Sequence, residues 1–383
     1  GSDFPVERLP ADQGRGLLAD VSDTLRSADL TFGNLEGTLL QGGVCTKNPS
    51  KGKVYAFRTP PEFAQNLVDA GFDFLNLANN HMNDFGPGGV ESTKQTLLAH
   101  GIQFAGPGGA TAVFQLGLMA AAESTDANLT PDTGFTTDTS LTADTFFADD
   151  TVSTGDSVAP LDTALTCDSV FIGDSTEHAD SASATDSLSI AIASFATSPG
   201  ADLIVDIAEA QRIVARLARE HDIVVVSFHG GAEGLGCLHT RDEFEYFLGQ
   251  PRGNVVRFAH AVIDSGADLV WGHGPHVPRA IELYKDRLIA YSLGNFCTYG
   301  FNTSGELGYA PMLKAVLDTA GVFMHGQIIS ALQTADGSVQ IDTLHRAADL
   351  IRRLSAQDFP TSSPVITSDG AISRSHGEDR CPH

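Results

Sequence analysis

The stretch Ala267-Asp268-Leu269-Val270-Trp271-Gly272-His273-Gly274-Pro275-His276-Val277 reads as a buried strand that ends in Gly-His and turns through Gly-Pro to a second histidine. Its apolar run is short and continuous, the pattern of a strand covered on both faces, and such strands belong to sheets flanked by helices. Open α/β proteins collect their chemistry at the carboxyl ends of strands, so two imidazoles at this edge are candidate functional groups. Alone the pair is ambiguous, because a strand-end turn can carry histidines for structural reasons. Three further strand ends deliver Asn34 and Glu36, Asn80 and His81, and His229 in the same way, and four converging tips make a metal centre the leading expectation.

Working outward, the pattern alternates strand and helix from Ala28 to Gly106, with strands over 29–33, 72–77 and 102–105 and helices over 61–70 and 88–100. Pro60-Pro61 opens the first helix and Gly71 closes it, as proline at a helix start and glycine past its end should. The grammar resumes with strands over 188–195, 223–228, 267–271 and 288–293 and helices near 206–220 and 255–265. Closing strands are expected over 326–332, then an amphipathic helix over 345–354. Residues 1–121 and 187–358 thus form one discontinuous α/β domain. Residues 122–186, rich in Thr, Asp and Ser, read as an acidic low-complexity insertion, weakly structured because its scattered apolar residues do not offset the entropy of ordering it. Within it, Ser169 to Asp174 is expected to form a local turn. Residues 359–383 read as a loose polar tail.

The chain has 383 residues and 42% hydrophobic content, enough for a large core. Its net charge of −25, from 48 acidic against 23 basic residues, opposes binding to nucleic acid or anionic lipid. An anionic substrate stays compatible with it, since a cationic metal pocket dominates locally. The five cysteines show no Cys-x-x-Cys pair. No run of about 18 apolar residues spans a membrane, and the chain opens without a signal peptide, so any export signal or anchor would lie upstream of Gly1. No dinucleotide loop, Walker loop or Gly-x-Ser-x-Gly elbow is present, which removes nucleotide-cofactor and serine-esterase readings.

The remaining tips carry specific chemistry. In Asn76-Leu-Ala-Asn-Asn-His-Met-Asn-Asp84, asparagine oxygen and imidazole nitrogen are both metal-capable, and Asp84 stands three residues after His81, where it can orient the ring. Asn79 and Asn80 equally suit a turn cap. Asn34 and Glu36 offer an amide and a carboxylate on one side of a strand end. Glycines after His229 permit close backbone approach, and Glu233 could support that histidine from outside the ligand set. Arg58 could clamp a carboxylate or phosphate or form a surface ion pair. Asn295, in Ser292-Leu-Gly-Asn-Phe296, is a less specific substrate contact.

Taken in order, Asn34-Leu-Glu-Gly, Phe57-Arg-Thr-Pro, Asn76-Leu-Ala-Asn-Asn-His, Ser227-Phe-His-Gly-Gly-Ala-Glu, Gly272-His-Gly-Pro-His-Val and Tyr291-Ser-Leu-Gly-Asn-Phe resemble the bacterial poly-γ-glutamate capsule synthesis family, the CapA-like relatives of calcineurin-like metallophosphoesterases. The resemblance implies an α-β-β-α sandwich of two mixed sheets with a metal site at their edge. It matches Glu36, Asn80, His229 and His273 to metal-ligand positions and His276 to the last histidine of the Gly-His block. His81, supported by Asp84, matches the histidine that protonates a leaving group. A first strand ending in Gly-Asp, whose aspartate is a ligand in the family, is missing from the chain, so an amino-terminal truncation is expected. Asp174 is the rival source of that carboxylate.

Two functions follow as expectations. One is a phosphoesterase-type hydrolase holding two divalent ions, Mn, Fe or Zn rather than Ca, and acting on an anionic small molecule or polymer. The other is a non-catalytic metal-binding component that assists synthesis or export of an anionic polymer alongside capsule-synthesis membrane proteins. Either is expected outside the cytoplasm or at the cell surface.

Overall fold

The computed structural model describes residues 9–47, 55–117, 169–173, where only the course of the backbone is given, and 187–374. Two sheets face each other. The first has eight strands in the order Val365–Ile366, Ala371–Ser373, Phe323–Ile329, Met312–Leu317, Ser169–Gly173, Leu30–Asn34, Phe74–Asn76, Gln103–Ala105. The second runs Ile281–Tyr284, Arg287–Ala290, Leu269–His273, Ile223–His229, Ser187–Ala196, Ala112–Gly117, with Asp202–Leu203 beside Ser187–Ala196. Both are mixed. Leu30–Asn34, Phe74–Asn76 and Gln103–Ala105 are mutually parallel, whereas Met312–Leu317 and Phe323–Ile329 are antiparallel. Likewise, Ile223–His229 is parallel to both its neighbours and Ala112–Gly117 closes the edge antiparallel.

Apolar residues fill the space between the sheets, among them Phe32, Phe74, Ile192, Val225, Trp271, Leu313 and Ile328. The outer face of the first sheet is covered through Leu67 and Leu97 of helices Ala64–Ala70 and Gly86–Ala99. Helices Ile207–Glu220 and Val255–Asp264 cover the second through Val214, Leu217, Phe258 and Val262. This is the expected α-β-β-α sandwich, and burial on both faces is what the continuous apolar strands encode. Each large apolar side chain so buried contributes roughly 1.5–3 kcal/mol. Helix starts are marked chemically: Asp206 accepts from Glu209 N and Asn254 from Arg257 N, each satisfying a donor that the first turn leaves free. Among the described residues no helix is long and apolar enough to cross a membrane.

Register decides where the chemistry goes. Asn34 stands beside Asn76 in the first sheet and His229 beside His273 in the second, so the polar strand ends arrive level with one another.

Two expectations are corrected. Ser169–Gly173 is a strand, not a local turn: it pairs antiparallel with Leu30–Asn34 and parallel with Met312–Leu317, filling a sheet position whose backbone groups would otherwise lack partners. Its Ile172 lies beside Leu30, so the chain reaches Gly173 at the end of the sheet away from Asn34 and Glu36, which argues against a carboxylate delivered from there. Asp174 and the rest of the acidic segment lie outside the described residues. The tail is also more ordered than composition suggests, because Val365–Ile366 and Ala371–Ser373 extend the first sheet and bury Ile366 and Ile372 in the core. Residues 375–383 lie outside the description.

Candidate metal centre

Glu36 is the hub. It is buried two residues past Asn34, and its Oε1 lies 3.7 Å from His81 Nε2, 3.8 Å from His276 Nε2 and 3.9 Å from His229 Nε2. Three strand ends beyond its own thus send an imidazole to one carboxylate oxygen. A second carboxyl group joins from the His229 loop, with Glu233 Oε2 3.9 Å from His276 Nε2. Burial raises the Glu233 carboxyl above its usual range, against the pull of His276 and Arg252.

His229 and His273 form a pair, their Nδ1 atoms 3.1 Å apart, so one ring donates and the other accepts. Burial holds His229 far below the usual imidazole value, with the His273, Arg252, His276 and His81 charges acting in the same direction. Burial and the His276 charge take His273 down to about 3. Both rings are therefore neutral, as the shared proton requires. His273 Nε2 lies 3.0 Å from Ser227 Oγ and 3.1 Å from Asn76 Nδ2. Asn76 Nδ2 can only donate and the Ser227 hydroxyl can donate as well, so His273 Nε2 is left bare and His273 donates through Nδ1 to His229 Nδ1. His229 Nε2 is buried without a hydrogen-bond partner.

The Gly-His-Gly-Pro-His turn fits its backbone. A Cβ on Gly272 would fall 2.2 Å from Phe228 Cζ and 2.5 Å from Tyr291 O, so only glycine passes there. His276 holds φ at 59°, a left-handed conformation that costs a non-glycine residue about 1 kcal/mol and is retained where the surroundings fix it. The fixing contact is Asn295: its Nδ2 reaches Leu307 O at 3.4 Å, which turns its Oδ1 to accept from His276 Nδ1 at 2.8 Å. In the neutral ring, His276 Nε2 then carries no hydrogen.

His81 is set from the other side. Asp84 Oδ2 lies 2.8 Å from His81 Nδ1 and also accepts from Phe57 N at 2.7 Å, while the Phe57 ring packs 4.1 Å from the imidazole. Lys47, which sequence reasoning missed, places Nζ 2.6 Å from Asp84 Oδ1 and 3.1 Å from His81 Nδ1, and donates to Tyr55 O. An anionic Asp84 takes the Nδ1 proton, and His81 Nε2 faces Glu36.

The other sequence-derived candidates sit as follows. Asn80 Oδ1 is buried without a hydrogen-bond partner, the condition of an oxygen available to a cation. Asn34 Oδ1 accepts from Asn76 and Asn79, an internal amide ladder behind the centre. Asn295 orients His276. Arg58 is not brought to the centre: it is buried, donates to Gly42 O and lies over the Phe85 ring. Among the described residues no three His, Cys, Asp or Glu side chains form a closed ligand set. His81, His229 and His276 approach the Glu36 and Glu233 oxygens at 3.7–3.9 Å, and imidazole and carboxylate donors, with the unpartnered Asn80 Oδ1, are of the chemistry that suits a divalent cation of the Mn, Fe or Zn type.

The uncharacterized protein y4sH of Sinorhizobium fredii is 28% identical over 306 residues, covering 77% of this chain and 64% of that protein. The capsule biosynthesis protein CapA of Bacillus anthracis is 26% identical over 279 residues, covering 72% and 52%. The PGA biosynthesis protein CapA of Bacillus subtilis is 40% identical over 80 residues, covering 21% and 18%. The match thus spans less than two thirds of the length of each of these relatives. A solved structure of a hypothetical protein from Thermus thermophilus is 12% identical, covering 81% of this chain and 97% of that one, with a TM-score of 0.29, a likeness too slight to build on. The family model for the bacterial capsule synthesis protein PGA_cap matches residues 6–299, and the chain belongs to that family.

Proposed function

We propose that this chain is a divalent-metal-dependent hydrolase of the phosphoesterase type that serves the synthesis of an anionic capsule polymer such as poly-γ-glutamate. One observation carries the reading: three histidine Nε2 atoms meet a single buried carboxylate oxygen at 3.7–3.9 Å, and one of them, on His229, has no hydrogen-bond partner. Glu36, Asn80, His229 and His276 are the residues that would hold the metal; His273, matched to a ligand position by sequence, has both ring nitrogens taken up by His229, Ser227 and Asn76 and instead orients His229. When bound, a pair of such ions supplies the charge that polarises a phosphoryl oxygen and acidifies water. His81 would deliver a proton from Nε2 to the leaving oxygen, with Asp84 holding its Nδ1 proton and Lys47 balancing the Asp84 charge.

Purified protein assayed for bound metal and for Mn-stimulated cleavage of a phosphodiester tests the reading. No metal and no cleavage would end it. The names of the CapA relatives favour a second reading, a metal-binding component that holds polymer carboxylates without hydrolysis, at the cell surface and beside membrane proteins of capsule synthesis. Capsule restored in a deletion strain by a His273→Ala copy would favour that role over the enzyme.

A further inference from the structure

The loop that carries Glu233 is braced on several sides. Gly231 N donates to Arg252 O at 2.9 Å, Ala232 N to Glu245 Oε2 at 2.7 Å and Gly234 N to Pro275 O at 2.9 Å, while Ala232 O accepts from Arg279 Nη2 at 3.0 Å. Arg279 is fully buried and grips Glu245 with both terminal nitrogens, at 2.9 and 2.8 Å. Glu245 and Arg252 come from the two strands of one hairpin, Glu245–Phe247 and Gln250–Gly253. Arg252 also binds Glu233 Oε1, which leaves Oε2 facing His276. Such bracing suits a carboxylate that must be held in one place.

A carboxylate beside an imidazole usually acts from outside the ligand set by accepting the ring N–H. In the neutral His276 ring that role is closed to Glu233, because its single hydrogen sits on Nδ1 and is given to Asn295. What faces Glu233 Oε2 at 3.9 Å is the bare Nε2, and Glu36 Oε1 lies 3.8 Å from the same nitrogen. Two carboxylate oxygens and a lone pair, on three separate strand ends, thus converge with no hydrogen among them. His229 Nε2, fully buried and without a hydrogen-bond partner, points to the same Glu36 oxygen from 3.9 Å. Carboxylates brought toward one nitrogen repel each other, and a cation among them would add to the offset that Arg252 supplies at Oε1.

We infer that Glu233 is a direct ligand to a divalent cation, shared with His276 and Glu36, and that the 245–253 hairpin is the device that positions it. The inference rests on the metal reading above and adds a carboxylate to its ligand set.

The test titrates the purified chain with Mn(II), counts bound ions after desalting, and records the visible absorption bands of the Co(II)-loaded protein. The expected result is that Glu233→Gln retains one ion fewer than the wild type and shifts the Co(II) bands. Arg252→Met, which keeps the carboxylate and removes its anchor, is expected to keep the ion count and weaken binding by about tenfold. Should circular dichroism show Glu233→Gln unfolded, with Arg252 left buried without its anion, the double variant Glu233→Gln/Arg252→Met replaces it. A folded variant with the wild-type ion count and unchanged Co(II) bands overturns the assignment and makes Glu233 an outer support. A wild-type chain that takes up neither Mn(II) nor Co(II) overturns the metal reading itself, a failure visible before any variant is made.

Discussion

Asp268, at the start of the strand that ends in His273, makes the fold's stability depend on pH in a direction opposite to that of most carboxylates. Its Oδ2 accepts from Val224 N at 2.8 Å, its own N–H donates to Val224 O, and Oδ1 faces Arg287 at 3.1 Å. Burial outweighs both partners and pushes its carboxyl up to about 6 from an ordinary 3.8. Because the folded value is the higher one, the native state holds the proton more tightly than the unfolded chain. The resulting stabilisation is complete below pH about 4 and is lost as pH rises through about 6. A rise of about two units at 1.36 kcal/mol each makes the loss up to about 3 kcal/mol. Asp268→Asn removes the titration and keeps an oxygen for Val224 N. Urea unfolding of both proteins across pH 4–7 should show the wild type losing up to about 3 kcal/mol relative to the variant, groups common to both cancelling. Parallel curves would refute the reasoning. So would a wild type that gains on the variant with rising pH, since Arg287 would then dominate and the folded carboxyl would lie below its ordinary value.

Lys47→Met should lower turnover of a phosphodiester by about 10–100-fold with KM changed less, because it removes the charge that balances Asp84 behind His81; a Lys47→Arg variant that restores turnover would confirm the charge as the reason. The same change leaves a fully buried Asp84 with one partner fewer and should cost roughly 1–3 kcal/mol in urea unfolding. Gly272→Ala should destabilise by about 1–3 kcal/mol or more, since its methyl would meet the Phe228 ring and Tyr291 O, and a neutral result would contradict the packing around the strand end. Peptide mapping after brief alkylation of native protein should find exposed Cys45 modified and Cys297 intact, because Cys297 is buried and its thiol is pushed up to about 12; native labelling of Cys297 would show the core to be more open than described.

Local sequence revealed the strand ends because each is written in a handful of contiguous residues. The apolar run to Trp271 followed by Gly-His-Gly-Pro-His states both the strand and its turn, and the observed strand Leu269–His273 ends where that reading puts it. The supports were hidden by distance along the chain. Lys47 meets His81 across 34 residues, Arg252 meets Glu233 across 19 and Asn76 meets His273 across 197. No periodicity marks such partners. Ser169–Gly173 was concealed differently: its apolar run Val-Phe-Ile is short and set in an acidic stretch, so it reads as a turn or a strand, whereas its strand state is imposed by two neighbouring strands that need a partner. Arg58 shows the reverse limit, since an arginine after a strand reads equally well as a clamp or a brace, and only packing over Phe85 decides it.

The centre departs from what stability alone would select. Glu36, His229 and His273 are buried polar groups, His229 Nε2 lacks a hydrogen-bond partner, and His276 holds a left-handed backbone. Each feature costs free energy on the order of 1–3 kcal/mol, so such groups persist where the surroundings over-determine them. Here the surroundings do so: Asn295 turns His276, Ser227 and Asn76 hold His273, Asp84 and Lys47 hold His81, and Arg252 holds Glu233. Each of these contacts fixes one face of a side chain and leaves the opposite atom directed inward. A core built for stability would pair those inward atoms with one another; the fold pairs His273 Nδ1 with His229 but holds the Nε2 atoms of His81, His229 and His276 3.7–3.9 Å from the Glu36 or Glu233 oxygens, beyond hydrogen-bond reach. That separation is what the two sheets, meeting level at their strand ends, impose on the centre.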